Sequence, residues 1–256
     1  MRPLLKCAAV ALCLAFGLAG CVWLRLLEVK NQLAEFDQNL RVQVVHDYFI
    51  VHFLHPVLLS DDFIELAKLR PSRVATLPEG YRWFLDFRME GGKGRNQPGK
   101  TLVFAMTFTP EDRLAAFEFS PLFLQMAPPA FLEASLRSLG RGKVDQGKQQ
   151  LKVDPEDLPK LSARLPDRRT ILAVLGPPVE QSRQDDLLVL LYRFKADAEP
   201  VEPEYESRRL AEAKLFFDPA KDELVRLAGR FAGLKLSIDY RKLIAAPPQD
   251  RVARHP

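Results

Sequence analysis

Leu59-Ser60-Asp61-Asp62-Phe63-Ile64-Glu65-Leu66-Ala67-Lys68-Leu69-Arg70-Pro71 returns 106 residues later as Leu165-Pro166-Asp167-Arg168-Arg169-Thr170-Ile171-Leu172-Ala173-Val174-Leu175-Gly176-Pro177. Both stretches read as a short helix. Ser60 is suited to cap the first, with acids in its opening turn, and proline stops each of them. Gly176 stands where a left-handed C-cap is wanted. At this offset Leu66 and Leu172 are expected to occupy equivalent buried sites, as are Phe87 and Phe194.

The strands that follow correspond as well. Trp83 to Arg88 matches Leu190 to Lys195, and Thr101 to Pro110 matches Leu210 to Pro219. A tight turn then leads to a strand begun by Leu114 or Leu224. Upstream, Trp23 to Leu40 carries Leu26, Val29, Leu33, Phe36 and Leu40 on one helical stripe and runs into a strand from Val42 to Phe53. In the second half Ala130 to Leu139 is helical, and Lys143 to Val153 reads as a strand. The expected fold class is α+β: a tandem repeat of a helix-strand-helix plus three-stranded antiparallel meander unit. The boundaries are 1–20 for a signal peptide, 21–127 and 128–244 for the repeats, and 245–256 for a disordered tail.

Thr170 to Pro178, with Leu191-Tyr192-Arg193-Phe194, Phe217-Asp218 and Leu224, resembles the SmpA/OmlA (BamE-like) domain of outer-membrane lipoproteins. That resemblance covers residues 165 to 231. It implies a small helix-plus-meander fold in the second half. Tandem copies of such a unit are also similar in architecture to the β-lactamase inhibitor proteins, which offer a sheet surface to their target.

At the N-terminus, Arg2 and Lys6 precede an apolar run from Cys7 to Phe16, which Leu18-Ala19-Gly20-Cys21 closes. The run is shorter than the ~20 residues a membrane span needs and has the layout of a secretory signal. The tetrapeptide resembles the lipobox of bacterial lipoproteins. It implies cleavage before Cys21 and acylation of that residue, with palmitate among the chains. Each buried methylene contributes about 0.8 kcal/mol, so several chains hold a protein at a bilayer. Within this pattern an aspartate after the acylated cysteine marks retention at the inner membrane. Val22 stands there, so the expected location is the periplasmic face of the outer membrane. Cys7 and Cys13 leave with the signal, and no disulfide or thiolate metal site is expected.

Losing Arg2 and Lys6 lowers the formal net charge of +4 by two, so the working chain is nearly neutral and no nucleic-acid partner is expected. Arg137, Arg141, Lys143 and Lys148, and Arg164, Arg168 and Arg169, read as solvated basic clusters. His46, His52 and His55 read as strand histidines, and Asp61-Asp62 and Asp185-Asp186 as capping or strand-flanking acids. No phosphate loop, nucleophile elbow or zinc motif is present. The expectation is a non-enzymatic protein without metal or cofactor. One apolar stretch, Phe119 to Phe131, joins the repeats. Its Phe119, Leu122, Phe123, Met126 and Phe131 form either a packed connector or a candidate binding surface. The leading functional reading is a lipid-anchored envelope protein that binds another envelope protein and assists outer-membrane assembly or maintenance. The alternative is a lipid-binding or lipid-shuttling lipoprotein with an apolar cavity between the repeats.

Overall fold

The computed structural model describes residues 22–91, 96–145, 150–153 and 158–245. Eleven of its strands belong to one curled antiparallel sheet, and strands make up 44% of the structure. This overturns the expected α+β repeat of a helix-strand-helix plus three-stranded unit. Helices are few, and the two halves share a single sheet.

Helix α1 (residues 22–34) and the short α2 (Phe36–Asn39) lead into β1 (Leu40–Val45) and β2 (Tyr48–Phe53). The expected single strand from Val42 to Phe53 is thus a hairpin. His46 and Asp47 form its two-residue turn with φ of 49° and 63°, the left-handed pair that a type I′ connection requires. Aspartate and histidine enter that region more readily than most residues. Next come α3 (Ser60–Ala67), β3 (Arg73–Leu77), β4 (Gly80–Glu90), β5 (Asn96–Phe108) and β6 (Leu114–Phe119). After α4 (Pro121–Leu124) and α5 (Pro129–Leu139), the expected strand at Lys143–Val153 is a separate two-stranded hairpin, β7 (Lys143–Asp145) and β8 (Gln150–Lys152). The second half continues with α6 (Arg168–Leu175), β9 (Glu180–Gln184), β10 (Leu187–Ala196), β11 (Leu210–Asp218), β12 (Glu223–Phe231), β13 (Leu234–Asp239) and α7 (Tyr240–Leu243).

What recurs is a helix followed by four strands. In each half the short strand pairs with the start of a long one, β3 with β4 and β9 with β10. Each half carries a register irregularity at the same place, Thr107/Phe108 in β5 and Phe216/Phe217 in β11. Each ties the second residue before its helix to its fourth strand: Leu114 N donates to Leu58 O at 2.8 Å, and Leu224 N to Pro166 O at 2.7 Å. The helices are 108 residues apart rather than 106. Leu66 and Leu172 therefore sit one half-turn out of step, and both are only half-buried. The buried pair is Ala67 and Leu175. The text match misled because the first helix starts after Leu59 rather than Ser60, so a 106-residue shift places the second cap at Leu165, two residues before Asp167, which accepts from Thr170 N at 2.8 Å. Phe87 and Phe194 are equivalent and fully buried.

The halves join where β4 and β10 pair antiparallel, with Arg88 opposite Lys195 and Phe87 and Met89 opposite Ala196 and Phe194. Arg88 and Lys195 are themselves equivalent positions, so a local twofold axis passes between them, perpendicular to the sheet. Phe231, at the end of β12, contacts Phe87, Phe104, Phe123 and Phe194, with ring centroids 5.6 to 6.1 Å apart. The core therefore runs through both halves without a seam. On its edge, α1 lays Leu26 and Val29 against Leu58, Met106, Phe108 and Leu114. A close approach of α1 to α5 is possible because residue 140 is glycine: a Cβ there would lie 2.2 Å from the Ala34 nitrogen.

Candidate functional site

The connector residues pack into the core. Phe123, Met126 and Phe131 are at most 1% exposed, and Phe119 and Leu122 pack against the same core. The Tyr240 hydroxyl donates to the Met126 carbonyl, fixing the connector from the far end of the chain. Burial pushes that tyrosine's pKa upward, and it moves the Tyr192 hydroxyl, which donates to Gly176 O at 2.9 Å, to about 12.

The other sequence candidates disperse. His46 is in a turn, His52 lies on a strand with Nε2 3.3 Å from Gln43 Oε1, and the backbone of His55 accepts from Gln32 at 2.8 Å. Among the described residues no cluster of three or more metal-ligating side chains forms. Asp62 is buried as the partner of Arg25, at 2.7 and 2.5 Å, while Asp185-Asp186 make a turn. Arg137 is held by Asp37 and Glu133 at 2.8 Å each, and Arg168 by Asp222 at 2.6 Å. Cys21 and Lys148 lie outside the described residues.

The face of the sheet turned away from α1 holds something the sequence reading missed. Alternation places Arg82, Phe84, Asp86 and Arg88 of β4 on that face, opposite the buried Phe87 and Met89. On neighbouring strands the same face carries Arg73, Ala105, Glu118, Tyr48 and Ile50. Of these, Arg82, Phe84, Arg73, Ala105, Glu118, Tyr48 and Ile50, with Val45, His46 and Val103, line an open groove of about 310 Å³. At its floor Glu118, 8% exposed, forms an ion pair with Arg82. Burial raises the Glu118 pKa, and the positive charges of Arg82 and His52 offset part of that rise. Phe84 stands between two guanidinium groups: Arg73 lies 3.5 Å from its ring centroid and Arg82 5.3 Å. Arg73 is itself anchored to Asp86 at 2.8 Å.

In the second half the positions equivalent to Arg82, Phe84 and Glu118 are apolar, while those equivalent to Arg73, Asp86 and Ala105 are Glu180, Arg193 and Lys214. Strand register equates Arg82 with Val189, Phe84 with Leu191 and Glu118 with Ala228. Val189, Phe216 and Val225 form a small buried cluster there, covered by Leu165. The polar arrangement is thus not demanded by the fold. With Glu118 nearly buried and Arg82 partly exposed, the pair contributes little net stability that apolar packing such as the second half's could not replace, which leaves it available for recognition. The groove also carries His46 and Tyr48. It offers planar cations, one desolvated carboxylate and apolar walls, which suit recognition of an amphipathic partner segment. Comparing the halves at their strand offset is the signal that finds these residues in the sequence; taken singly they look like ordinary outward-facing strand residues.

No family model, curated protein or solved structure matches the chain.

Proposed function

We propose that the chain is a lipid-anchored, non-enzymatic protein of the cell envelope, held at the periplasmic face of the outer membrane through acylated Cys21. It acts by binding another envelope protein through the groove of its first half. The anchoring part rests on Leu18-Ala19-Gly20-Cys21 and its flanking charges. The binding part rests on one observation: a part-buried Arg82–Glu118 pair, with Arg82 reaching the surface, at positions whose equivalents in the second half, Val189 and Ala228, are apolar and covered. The lipid-shuttling alternative needs an apolar cavity between the halves. Phe87, Phe104, Phe123, Phe194 and Phe231 fill that space, so the binding reading is favoured. Exposed Trp23 and Leu24 start α1 one turn from the anchor and suit the head-group level of a bilayer.

A photo-crosslinking side chain at Val103, within the groove, tests the binding part in intact cells. The expected result is one dominant protein adduct that Arg82→Ala abolishes. An adduct pattern indifferent to Arg82→Ala, or none, overturns the groove. Cys21→Ser tests the anchor by membrane fractionation: normal processing and retention of that variant overturn the lipobox reading.

A further inference from the structure

We infer that two copies of this chain join through their β1 strands into one continuous sheet, with Val42 on the twofold axis. Among the described residues strand β1 is an end of the strand order and pairs only with β2. Its ladder orientation follows from one further bond. Leu54 N donates to Asn39 O at 2.9 Å in the same register, so Arg41, Gln43 and Val45 also point their amides and carbonyls at β2. Leu40, Val42 and Val44 point theirs away from the sheet. The Leu40 N–H turns back to Phe36 O; Val42 and Val44 present theirs at the open edge.

The edge lacks the usual protection. Natural sheets defend such strands with charges, proline, bulges or brevity. Strand β9 is Glu-Gln-Ser-Arg-Gln, exposed throughout, and β13 carries Lys235 and Asp239. Strand β1 carries Arg41 alone among three valines, and Val44 is 53% exposed.

A second copy fits this edge in several respects. Centred on Val42, antiparallel pairing sets Leu40 against Val44 and Arg41 against Gln43, so no like charges meet. Centring on Arg41 sets that cation against itself. The axis relating two antiparallel neighbours stands perpendicular to the sheet, as it does between β4 and β10 inside the chain. Both α1 helices then lie on one side of the combined sheet, and both grooves on the other. Two anchors can enter one bilayer while two grooves face away from it, an isologous arrangement that also gives the partner a bivalent surface. The pairing goes beyond the proposed function; only the shared bilayer rests on the anchored reading.

The test uses the full chain. In detergent, sedimentation is expected to give a dimer. Val44→Pro removes only an outward N–H, so it is expected to abolish the dimer with the melting temperature unchanged, and Val44→Lys to do the same by charge. Gln43→Pro breaks an internal ladder bond and is expected to lower the melting temperature. In cells, oxidation of the Arg41→Cys/Gln43→Cys double variant is expected to give a disulfide-linked dimer that neither single variant gives. A monomer in detergent without that crosslink overturns the proposal, as does a dimer that survives both changes at Val44. Crosslinking to a different protein replaces the second copy by a foreign strand and overturns it too. Dimerisation in detergent does not depend on acylation, so its failure is separable from failure of the anchor.

Discussion

Both halves of the molecule put the same kind of residue on the core face and different kinds on the other. Phe87, Phe108 and Leu114 have Phe194, Phe217 and Leu224 as their counterparts, all six at most 2% exposed. On the opposite face, Arg82 and Glu118 correspond to Val189 and Ala228, and the first half is open where the second is covered by Leu165. One sheet thus separates two demands. The face that must exclude water is restricted in both halves. The face that does not has been free to become packing in one half and a polar groove in the other.

The largest effects should appear where the halves are alike. Phe87→Ala and Phe194→Ala each leave a cavity in the shared aromatic core, and each is expected to cost about 3–5 kcal/mol by denaturant unfolding. Because Phe231 touches rings from both halves, both variants should still unfold in a single transition. Two resolved transitions, or a cost confined to one variant, breaks the equivalence.

The second effect should appear where the halves differ. Glu118→Ala leaves Arg82 without its carboxylate and is expected to cost about 1–3 kcal/mol. Arg82→Val/Glu118→Ala copies the second half's pair into the first. It is expected to be neutral, or stabilising by up to about 4 kcal/mol, while losing the groove adduct. A double variant as unstable as the single one means that the groove serves folding, and the functional reading of that pair falls. Glu118→Gln adds a pH test. Burial raises the folded-state pKa of Glu118 above its ordinary 4.5, so the native chain holds this proton more tightly than the unfolded chain. That contribution is fully present below the ordinary value and is lost as pH rises through the raised one. The stability of Glu118→Gln relative to the unaltered chain should therefore climb with pH across that window and stay flat below it. A difference that falls with rising pH contradicts the burial argument.

Legibility followed the same division. The strands of the core face were readable because alternation and aromatic content persist there: the expected matches of β4 with β10 and of β5 with β11 agree with the observed register. The helix match slipped by two residues because capping chemistry differs, Asp167 in one half and the buried Asp62–Arg25 pair in the other. The fold class was missed for a non-local reason. Nothing in the text of β4 or β10 states that they pair with each other, and that pairing turns two small sheets into one. The connector from Phe119 to Phe131 was visible as apolar, but apolarity alone does not separate a buried plug from an exposed patch. The groove was invisible one residue at a time, since Arg82 and Glu118 lie 36 positions apart and look like solvent-facing strand residues.

The smallest effect concerns how each half closes its equivalent hairpin. Between β3 and β4 the chain turns through Pro78-Glu79 and meets Gly80 at φ 105°, where a Cβ would lie 2.0 Å from the Phe108 oxygen. That position admits little but glycine. Between β9 and β10 the turn is Asp185-Asp186, at φ 49° and 63°, and Leu187 follows with an ordinary backbone. Two adjacent L-residues there pay left-handed strain of about 1–2 kcal/mol each, moderated because aspartate tolerates that region. Asp186→Gly removes the strain at one position but makes the unfolded chain more flexible, at about 0.5–1 kcal/mol. The net expectation is a gain of about 0.5 kcal/mol, read as a small upward shift in the denaturant midpoint. The same φ pair occurs at His46-Asp47, so Asp47→Gly should give a gain of the same size. If Asp186→Gly gains and Asp47→Gly loses, the β1–β2 turn is held by something beyond its own dihedrals. The edge formed by β1 is then under a constraint that the second half's hairpin does not share.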